Sequence, residues 1–288
     1  MRTIRLRGQI SQGLVLPMSY LPGGNYHIGQ DVTNELGITK YDPEAAQEAA
    51  LMKTKEDTTV KSPLVKFLMR FKVFHRFFIK TKKGNFLAWI VKTDEERLQN
   101  KTKMFEIEKA RCTAFIVTEK LDGQSATYFL EKHGRKYEFG VCSRNLRLLQ
   151  PDSSSYWTVA DTYEIERVLR RLIGSGTRIV LQGEIIGPGI QGNKYKLSAY
   201  TFFAFNLIRD GKKLDTIAMA TELQFFGIEP VPILERHYNL PCTIEEVVDY
   251  VKGQSVLKDR KREGCVFRNY DRHISFKCIN PEFLLEEK

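Results

Sequence analysis

The sequence lacks a long hydrophobic run, and it lacks paired cysteines at the spacing of a metal site. No apolar stretch approaches the roughly 20 residues that a helix needs to cross a bilayer, and the N-terminus has no secretory signal. The five cysteines, an odd number without a Cys-x-x-Cys pair, fit neither a zinc site nor a disulfide framework. We therefore predict a soluble intracellular protein with reduced thiols and no membrane partner.

The chain is 288 residues long, enough for one large or two small domains, and carries a net charge of +10. A basic balance favours polyanionic partners such as nucleic acid. Between Lys61 and Lys83, eight basic residues and five phenylalanines interleave without any acidic residue. Two interpretations stay open for this stretch: a surface that contacts phosphates, or a solvated amphipathic face. Its basic residues are Lys61, Lys66, Arg70, Lys72, Arg76, Lys80, Lys82 and Lys83.

Composition divides the chain into three regions. Residues 1–30 predict one or two strands followed by a turn at Leu21-Pro-Gly-Gly-Asn25. Residues 31–85 predict a linker that carries one short helix and the basic stretch. Residues 86–288 mix strand and helix patterns and form the predicted main domain.

Sequence patterns predict several elements of secondary structure in the main domain. Thr93 followed by Glu96 is typical of a capping box, which predicts a helix that begins there and continues through Asn100. Further helices are predicted over 162–173 and 244–251, strands over 114–120, 178–184 and 200–207, and a hairpin over 263–269 and 273–279.

Lys120 ends an apolar strand and is followed by Asp122 and Gly123. A lysine acts as a nucleophile only when it is deprotonated, and a neighbouring metal ion lowers its pKa. Asp122 is placed to hold such a metal, and Gly123 lets the backbone turn. Taken alone, Lys-x-Asp-Gly is short enough to arise by chance in a chain of this length.

Four further motifs follow in a fixed order. Gly183-Glu184 lies at a strand end, and an aromatic strand follows over 200–207. Next come Glu263-Gly-Cys-Val-Phe-Arg268 and a strand that contains Lys277. Together with the Lys120 motif, this set resembles the superfamily of ATP-dependent DNA and RNA ligases and mRNA capping enzymes. The resemblance implies an α+β fold: a ligase-type, ATP-grasp-like nucleotidyltransferase domain of antiparallel sheets flanked by helices.

The resemblance also implies a chemical role for each motif. Lys120 is the expected nucleophile that becomes lysyl-AMP, and Lys277 is expected to contact the AMP phosphate. Asp122 and Glu263 would hold a catalytic Mg²⁺ or Mn²⁺, and Glu184 would hold the ribose or, through water, a metal.

The remaining nucleotide contacts are expected from five side chains around the same strands. Arg144, in Cys-Ser-Arg-Asn145, matches the arginine that contacts the ribose or a phosphate. Phe205 is the expected aromatic under the adenine, with Phe203 on the same strand face as the alternative. Thr118 shares the face of Lys120 and would reach the adenine edge, and Glu119 is counted with the nucleotide-binding residues. One departure is that Ser275 stands where many ligases have a second lysine, so no second lysine is assigned.

Within the superfamily, residues 6–17 and 92–100 resemble the RNA ligase family typified by Naegleria. In that family an OB module precedes the catalytic domain, and residues 1–30 are expected to be a remnant strand of it. Because only 11 residues follow Lys277, a C-terminal OB domain is not expected. The implied function is ATP-dependent sealing of nicked duplex RNA by a monomer. The alternatives are a DNA ligase, a GTP-dependent capping enzyme, and a non-catalytic nucleic-acid binding protein.

Overall fold

A computed structural model describes residues 4–6, 9–11, 17–37, 83–149 and 153–286. The chain divides into two compact units, Met1–Lys80 and Thr81–Lys288. The predicted linker helix, and the basic stretch apart from Lys83, lie outside the described residues.

In the first unit, two short strands form an antiparallel pair. They are β1 (Ile4–Leu6) and β2 (Gln9–Ser11), in register from Ile4↔Ser11 to Leu6↔Gln9. A 3-10 helix over Met18–Tyr20 and turns to residue 37 follow. This agrees with the predicted strands and turn, and their derivation from an OB module stays a prediction.

The second unit contains two β-sheets. Its described strands are β3 (Lys83–Asn85), β4 (Ala114–Lys120), β5 (Gln124–His133), β6 (Lys136–Cys142), β7 (Leu146–Leu148), β8 (Arg178–Ile186), β9 (Thr201–Arg209), β10 (Lys212–Lys213), β11 (Glu229–Pro230), β12 (Ile233–Asn239), β13 (Gly264–Asn269) and β14 (Ile274–Ile279). The larger sheet has the order β10-β9-β8-β5-β6-β7-β3, with β11 added in parallel to β9; the smaller has the order β12-β4-β13-β14. All pairs other than β11–β9 are antiparallel.

The helices cover the sheets and bury two main cores. One core packs the larger sheet against helices between residues 155 and 224, and the other packs the smaller sheet against residues 98–105 and 244–251. Phe86, Leu87, Trp89 and Ile90 cover the opposite face of the larger sheet. The described α-helices are α1 (Thr102–Ala110), α2 (Ser155–Thr162), α3 (Ile165–Leu172), α4 (Thr216–Gln224), α5 (Ile244–Val251) and α6 (Phe283–Glu286).

Antiparallel sheets flanked by helices confirm the predicted fold class. The predicted strands over 114–120 and 178–184, the aromatic strand and the final hairpin all form, with ends that shift by one or two residues. Helix α5 has the predicted bounds. Helix α3 begins later than predicted because Glu164, with φ 47°, separates it from α2.

The helix predicted to begin at Thr93 is wrong. Residues 91–96 form neither helix nor strand, a single 3-10 turn covers Leu98–Asn100, and α1 begins only at Thr102. Tertiary contacts override the local capping pattern, because the side chains of Thr93, Asp94 and Glu95 bind partners on three strands and one loop. The segment 92–97, called the strap below, crosses the candidate site.

Candidate active site

Lys120 lies where the two sheets meet, at the end of β4 in the smaller sheet. Its neighbour across the sheet is Gly264, so the residue before Gly264 is brought to the lysine side chain. Lys120 Nζ lies 2.5 Å from Glu263 Oε1, and both side chains are largely withdrawn from solvent. The pairing of β13 with β4 therefore brings Glu263, an expected metal-binding carboxylate, to the expected nucleophile Lys120, although 143 residues separate them in the sequence.

Gly123 allows β4 to pass into β5 close against β8. A Cβ atom at this position would lie 2.4 Å from the carbonyl oxygen of Ile185 and 2.9 Å from Glu184 Cγ. The glycine is thus required by the close approach of two chain segments, rather than by a turn as the sequence suggested. The same approach pairs Ser125 with Glu184 and brings Glu184 toward Lys120.

Asp122 is fixed by two residues that the sequence did not single out. Lys194 Nζ lies 2.5 Å from Asp122 Oδ2, and the backbone N–H of Asp122 donates to the hydroxyl of Tyr195 at 3.0 Å. Both partners belong to a glycine-rich loop that directly follows β8. The concentration of turn residues after the Gly183-Glu184 motif was the available signal for a functional loop.

The charge around Lys120 is predominantly negative. Burial by itself lowers the pKa of Lys120, but the carboxylates of Glu263, Glu184 and Asp122 outweigh burial and hold that pKa above its ordinary value. Lys120 is therefore held as an ammonium by three acidic side chains. A nucleophilic lysine in this setting requires a further cation to offset the carboxylates.

A cationic side of the site lies across from these carboxylates. Arg144 Nη2 lies 2.7 Å from both carboxylate oxygens of Asp94, and Lys277 Nζ lies 3.9 Å from Asp94 Oδ1. Burial lowers the pKa of Lys277, as do the nearby cations Lys120, Arg97 and Arg144, while Asp94 opposes them. Arg144 and Lys277 thus meet around one anion, which is the arrangement that a phosphate group requires.

The strap is held along its length by contacts with the sheets. Thr93 accepts from the hydroxyl of Ser125, and Glu95 pairs with Arg268 at 3.2 Å and accepts from Ser275. The backbone N–H of Lys277 donates to the carbonyl of residue 96 at 2.8 Å. Ser275, which stands in place of a second lysine, therefore serves to hold the strap.

Known proteins with this fold were found by sequence family and by structure. The family model described as RNA ligase matches residues 113–279, more than half of the chain. A lysine variant of Naegleria gruberi RNA ligase with ATP and Mn is 33% identical at a TM-score of 0.74, covering 99% of this chain and 75% of that one. The same enzyme with PPi is 33% identical at a TM-score of 0.75, over 99% and 75% of the two chains. No curated protein sequence matches the chain significantly.

The chain belongs to the RNA ligase family. It is a polynucleotide ligase with a nucleotidyltransferase fold of the Naegleria type. The matched span begins just before β4 and ends at the last residue of β14, so it includes every predicted site residue. Among the described residues, no helix has the length and apolar composition to cross a membrane.

The side chains predicted to contact the nucleoside lie on β4 and β9. Thr118 is buried and directs its hydroxyl to the carbonyl of Val266 at 3.4 Å. Glu119 is buried on the other strand face, where Oε2 accepts from the N–H of Val256 and Oε1 has no hydrogen-bond partner among the described residues. Phe203 and Phe205 are half-buried and pack on one apolar cluster, so the structure keeps both as candidates for stacking.

The carboxylates of this ligase fit a divalent metal ion. Glu263 Oε2 is buried and has no hydrogen-bond partner in the described part of the chain, while Oε1 contacts Lys120. Hard cations such as Mg²⁺ and Mn²⁺ prefer carboxylate oxygens, and Asp122 and Glu184 supply more of them around Lys120. These carboxylates are therefore suitable ligands for a divalent cation, which is the kind of ion needed to offset the negative charge around Lys120.

Proposed function

We propose that this chain is an ATP-dependent RNA ligase that seals 3′-hydroxyl/5′-phosphate nicks through lysyl-AMP and RNA-adenylate intermediates. The observation that carries the proposal is the contact of Lys120 Nζ with Glu263, inside a group of three carboxylates and across from the Arg144–Lys277 pair. The Naegleria gruberi relatives support it, since they were solved with ATP, with AMP and Mn, and with PPi. Their variants include a lysine and an aspartate two positions later, the spacing of Lys120 and Asp122.

The first step is transfer of AMP from ATP to Lys120. The Lys120 amine attacks the α-phosphorus, the bond to the β-phosphate oxygen breaks, and pyrophosphate leaves. Lys277 and Arg144 bind phosphate oxygens and neutralise the charge that develops on them. Glu263, Asp122 and Glu184 would hold Mg²⁺ or Mn²⁺, which supplies the positive charge that makes the neutral form of Lys120 accessible.

The nucleoside is held by the strands on either side of Lys120. We place the adenine against Phe205, with Phe203 as the alternative, and its edge toward Thr118. The unpartnered oxygen of Glu119 is an acceptor that suits the adenine amino group, because a buried acceptor without a donor is costly. Arg144 or Glu184 would bind the ribose.

The test of the first step is the covalent adduct. Incubation of the purified protein with labelled ATP and Mn²⁺ should add the mass of one AMP at Lys120, and labelled GTP should give none. Lys120→Ala should abolish the adduct. An adduct on the Lys120→Ala protein contradicts the assignment, and a GMP adduct on the natural protein favours a capping enzyme.

The substrate is tested by sealing matched nicks that carry RNA or DNA on each side. We expect the fastest sealing when ribose carries the 3′-hydroxyl, because the 2′-hydroxyl and the A-form groove distinguish RNA from DNA. Equal rates on an all-DNA nick would favour the DNA-ligase alternative. A protein that binds nicks but forms no adduct would be the non-catalytic alternative.

A further inference from the structure

The loop over residues 187–197 is bonded to Asp122 and Gly123, which lie just after the strand that ends at Lys120. Lys194 pairs with Asp122 at 2.5 Å, Tyr195 accepts from the backbone N–H of Asp122 at 3.0 Å, and Gln191 donates to the carbonyl of Gly123 at 3.4 Å. One loop thus holds Asp122 through both its side chain and its backbone. None of these loop residues belongs to the motifs that identified the site.

The loop conformation is strained in a way that presents Lys194. Gln191, Asn193 and Lys196 all have positive φ, at 45°, 49° and 51°, a region that non-glycine residues rarely adopt. The side chain of Asn193 braces the turn by bonding both the N–H and the carbonyl of Leu197. Strain of this kind persists only where surrounding contacts stabilise it, and it concentrates at functional sites.

The ammonium of Lys194 also packs against one aromatic ring, that of Phe283. It lies 4.6 Å from the ring centroid of Phe283, and Arg260 lies against the same ring at 5.2 Å and against Tyr195 at 5.8 Å. Lys194 and Asp122 are both mostly buried, with 22% and 14% of their side chains exposed. A mostly buried lysine with an aromatic support and a carboxylate partner has little freedom to move, so its position defines that of Asp122.

We propose that Lys194 is a positioning residue for lysine adenylylation, which anchors the Asp122 carboxylate beside Lys120. Without this cation, Asp122 faces the carboxylates of Glu263 and Glu184, and like charges repel it from the geometry that the reaction needs. Lys194 acts through Asp122, and the inference therefore rests on the proposed function of Asp122 in AMP transfer.

The experiment compares Lys194→Met with Lys196→Met in single-turnover formation of lysyl-AMP. Lys196 is a matched control, because it lies two residues away on the same loop and its side chain is exposed. We expect Lys194→Met to slow the step about 10- to 100-fold, since small misplacements at a reacting centre have effects of that size. Lys196→Met should retain the natural rate, and Lys194→Arg should restore most of it.

A double-mutant cycle with Asp122→Asn separates positioning from other roles. If Lys194 acts through Asp122, Lys194→Met should slow the Asp122→Asn protein no further. Losses that multiply, or a Lys194→Met protein that reacts like Lys196→Met, would overturn the proposal. Should Lys194→Met not fold, Lys194→Gln enters the same cycle, because it keeps a hydrogen-bond donor without the charge.

Amide hydrogen exchange gives a readout that does not depend on activity. Without nucleotide or metal, Lys194→Met should speed exchange at Asp122 and leave the centre of β5 unchanged, whereas Lys196→Met should change neither. Unchanged exchange at Asp122 counts against the proposal. If the natural protein forms no lysyl-AMP, the proposed function fails, and the exchange data still decide whether the loop anchors Asp122.

Discussion

Carboxylates surround Lys120 on one side of the site, whereas cations gather around Asp94 on the other. The carboxylate side is built from strand ends, with Glu263 set by the pairing of β13 with β4 and Glu184 by the pairing of β8 with β5. The cationic side depends on the strap, whose Asp94 contacts both Arg144 and Lys277. Sheet register thus positions the groups that we propose for bond formation, whereas an irregular segment positions those that we propose for phosphate binding.

The largest expected effect is on the carboxylate side. Glu263→Ala removes the partner of Lys120 and the buried oxygen proposed to hold the metal. We expect lysyl-AMP formation to slow about 1,000-fold, which corresponds to about 4 kcal/mol. Single-turnover assays with ATP and Mn²⁺ measure it, and thermal unfolding provides the control for folding. A normal rate in this variant contradicts the assigned role.

Substitution of Lys277 tests the cationic side. Lys277→Ala removes a charged contact with the phosphate, and such contacts contribute about 1.5–3 kcal/mol, so we expect a loss of about 10- to 100-fold. Part of the loss should appear as a higher KM for ATP, because the contact also forms in the bound substrate. If Lys277→Ala lowered kcat as much as Glu263→Ala and left KM unchanged, Lys277 would not act mainly in binding phosphate, contrary to the role proposed for the cationic side.

Asp94 offers a finer test of the same side. Asp94→Asn removes the carboxylate that occupies Arg144 and Lys277, so pyrophosphate should bind about threefold tighter, a size typical of a partly exposed ion pair. Since Asp94 raises the pKa of Lys277 against burial and the nearby cations, its loss should shift the alkaline fall of activity to lower pH. Calorimetry and a pH–rate profile measure these changes. Weaker pyrophosphate binding would show that Asp94 orients the cations rather than competing with phosphate.

The smallest effect on adenylylation is expected for the basic stretch between Lys61 and Lys83, most of which lies outside the described residues. Neutralising Lys72, Arg76 and Lys80 together should leave reaction with ATP nearly unchanged, because that step involves no polynucleotide. Nick binding should weaken. The slope of the logarithm of the binding constant against the logarithm of the salt concentration should become shallower by about 0.9 for each phosphate contact that is lost. Filter binding at several salt concentrations measures this. Loss of adenylylation with normal sealing of pre-adenylylated nicks would assign the stretch to the ATP site instead.

Two Thr-x-x-Glu patterns show where local signals suffice and where they fail. Thr243 and Glu246 form a capping box, and α5 follows with Val247 and Val251 buried against the smaller sheet. Thr93 and Glu96 have the same spacing, yet no helix begins there. The difference is that Glu95 is bound by Arg268, which lies 173 residues away, and no sequence pattern records that contact.

Several strands, the order of the motifs and the lysine that we propose to react could be predicted from the sequence alone. Strands can be predicted because their apolar patterns involve residues that are close together in the sequence. The motifs can be recognised because the proposed AMP transfer requires particular residue types. The partners of the motif residues became visible only in the folded chain. Lys194 and Asp94 lie 72 and 50 residues from their partners Asp122 and Arg144, and they meet only because the sheets and loops fold around the site. Long-range ion pairs have no periodicity, so they can be seen only once the chain is folded.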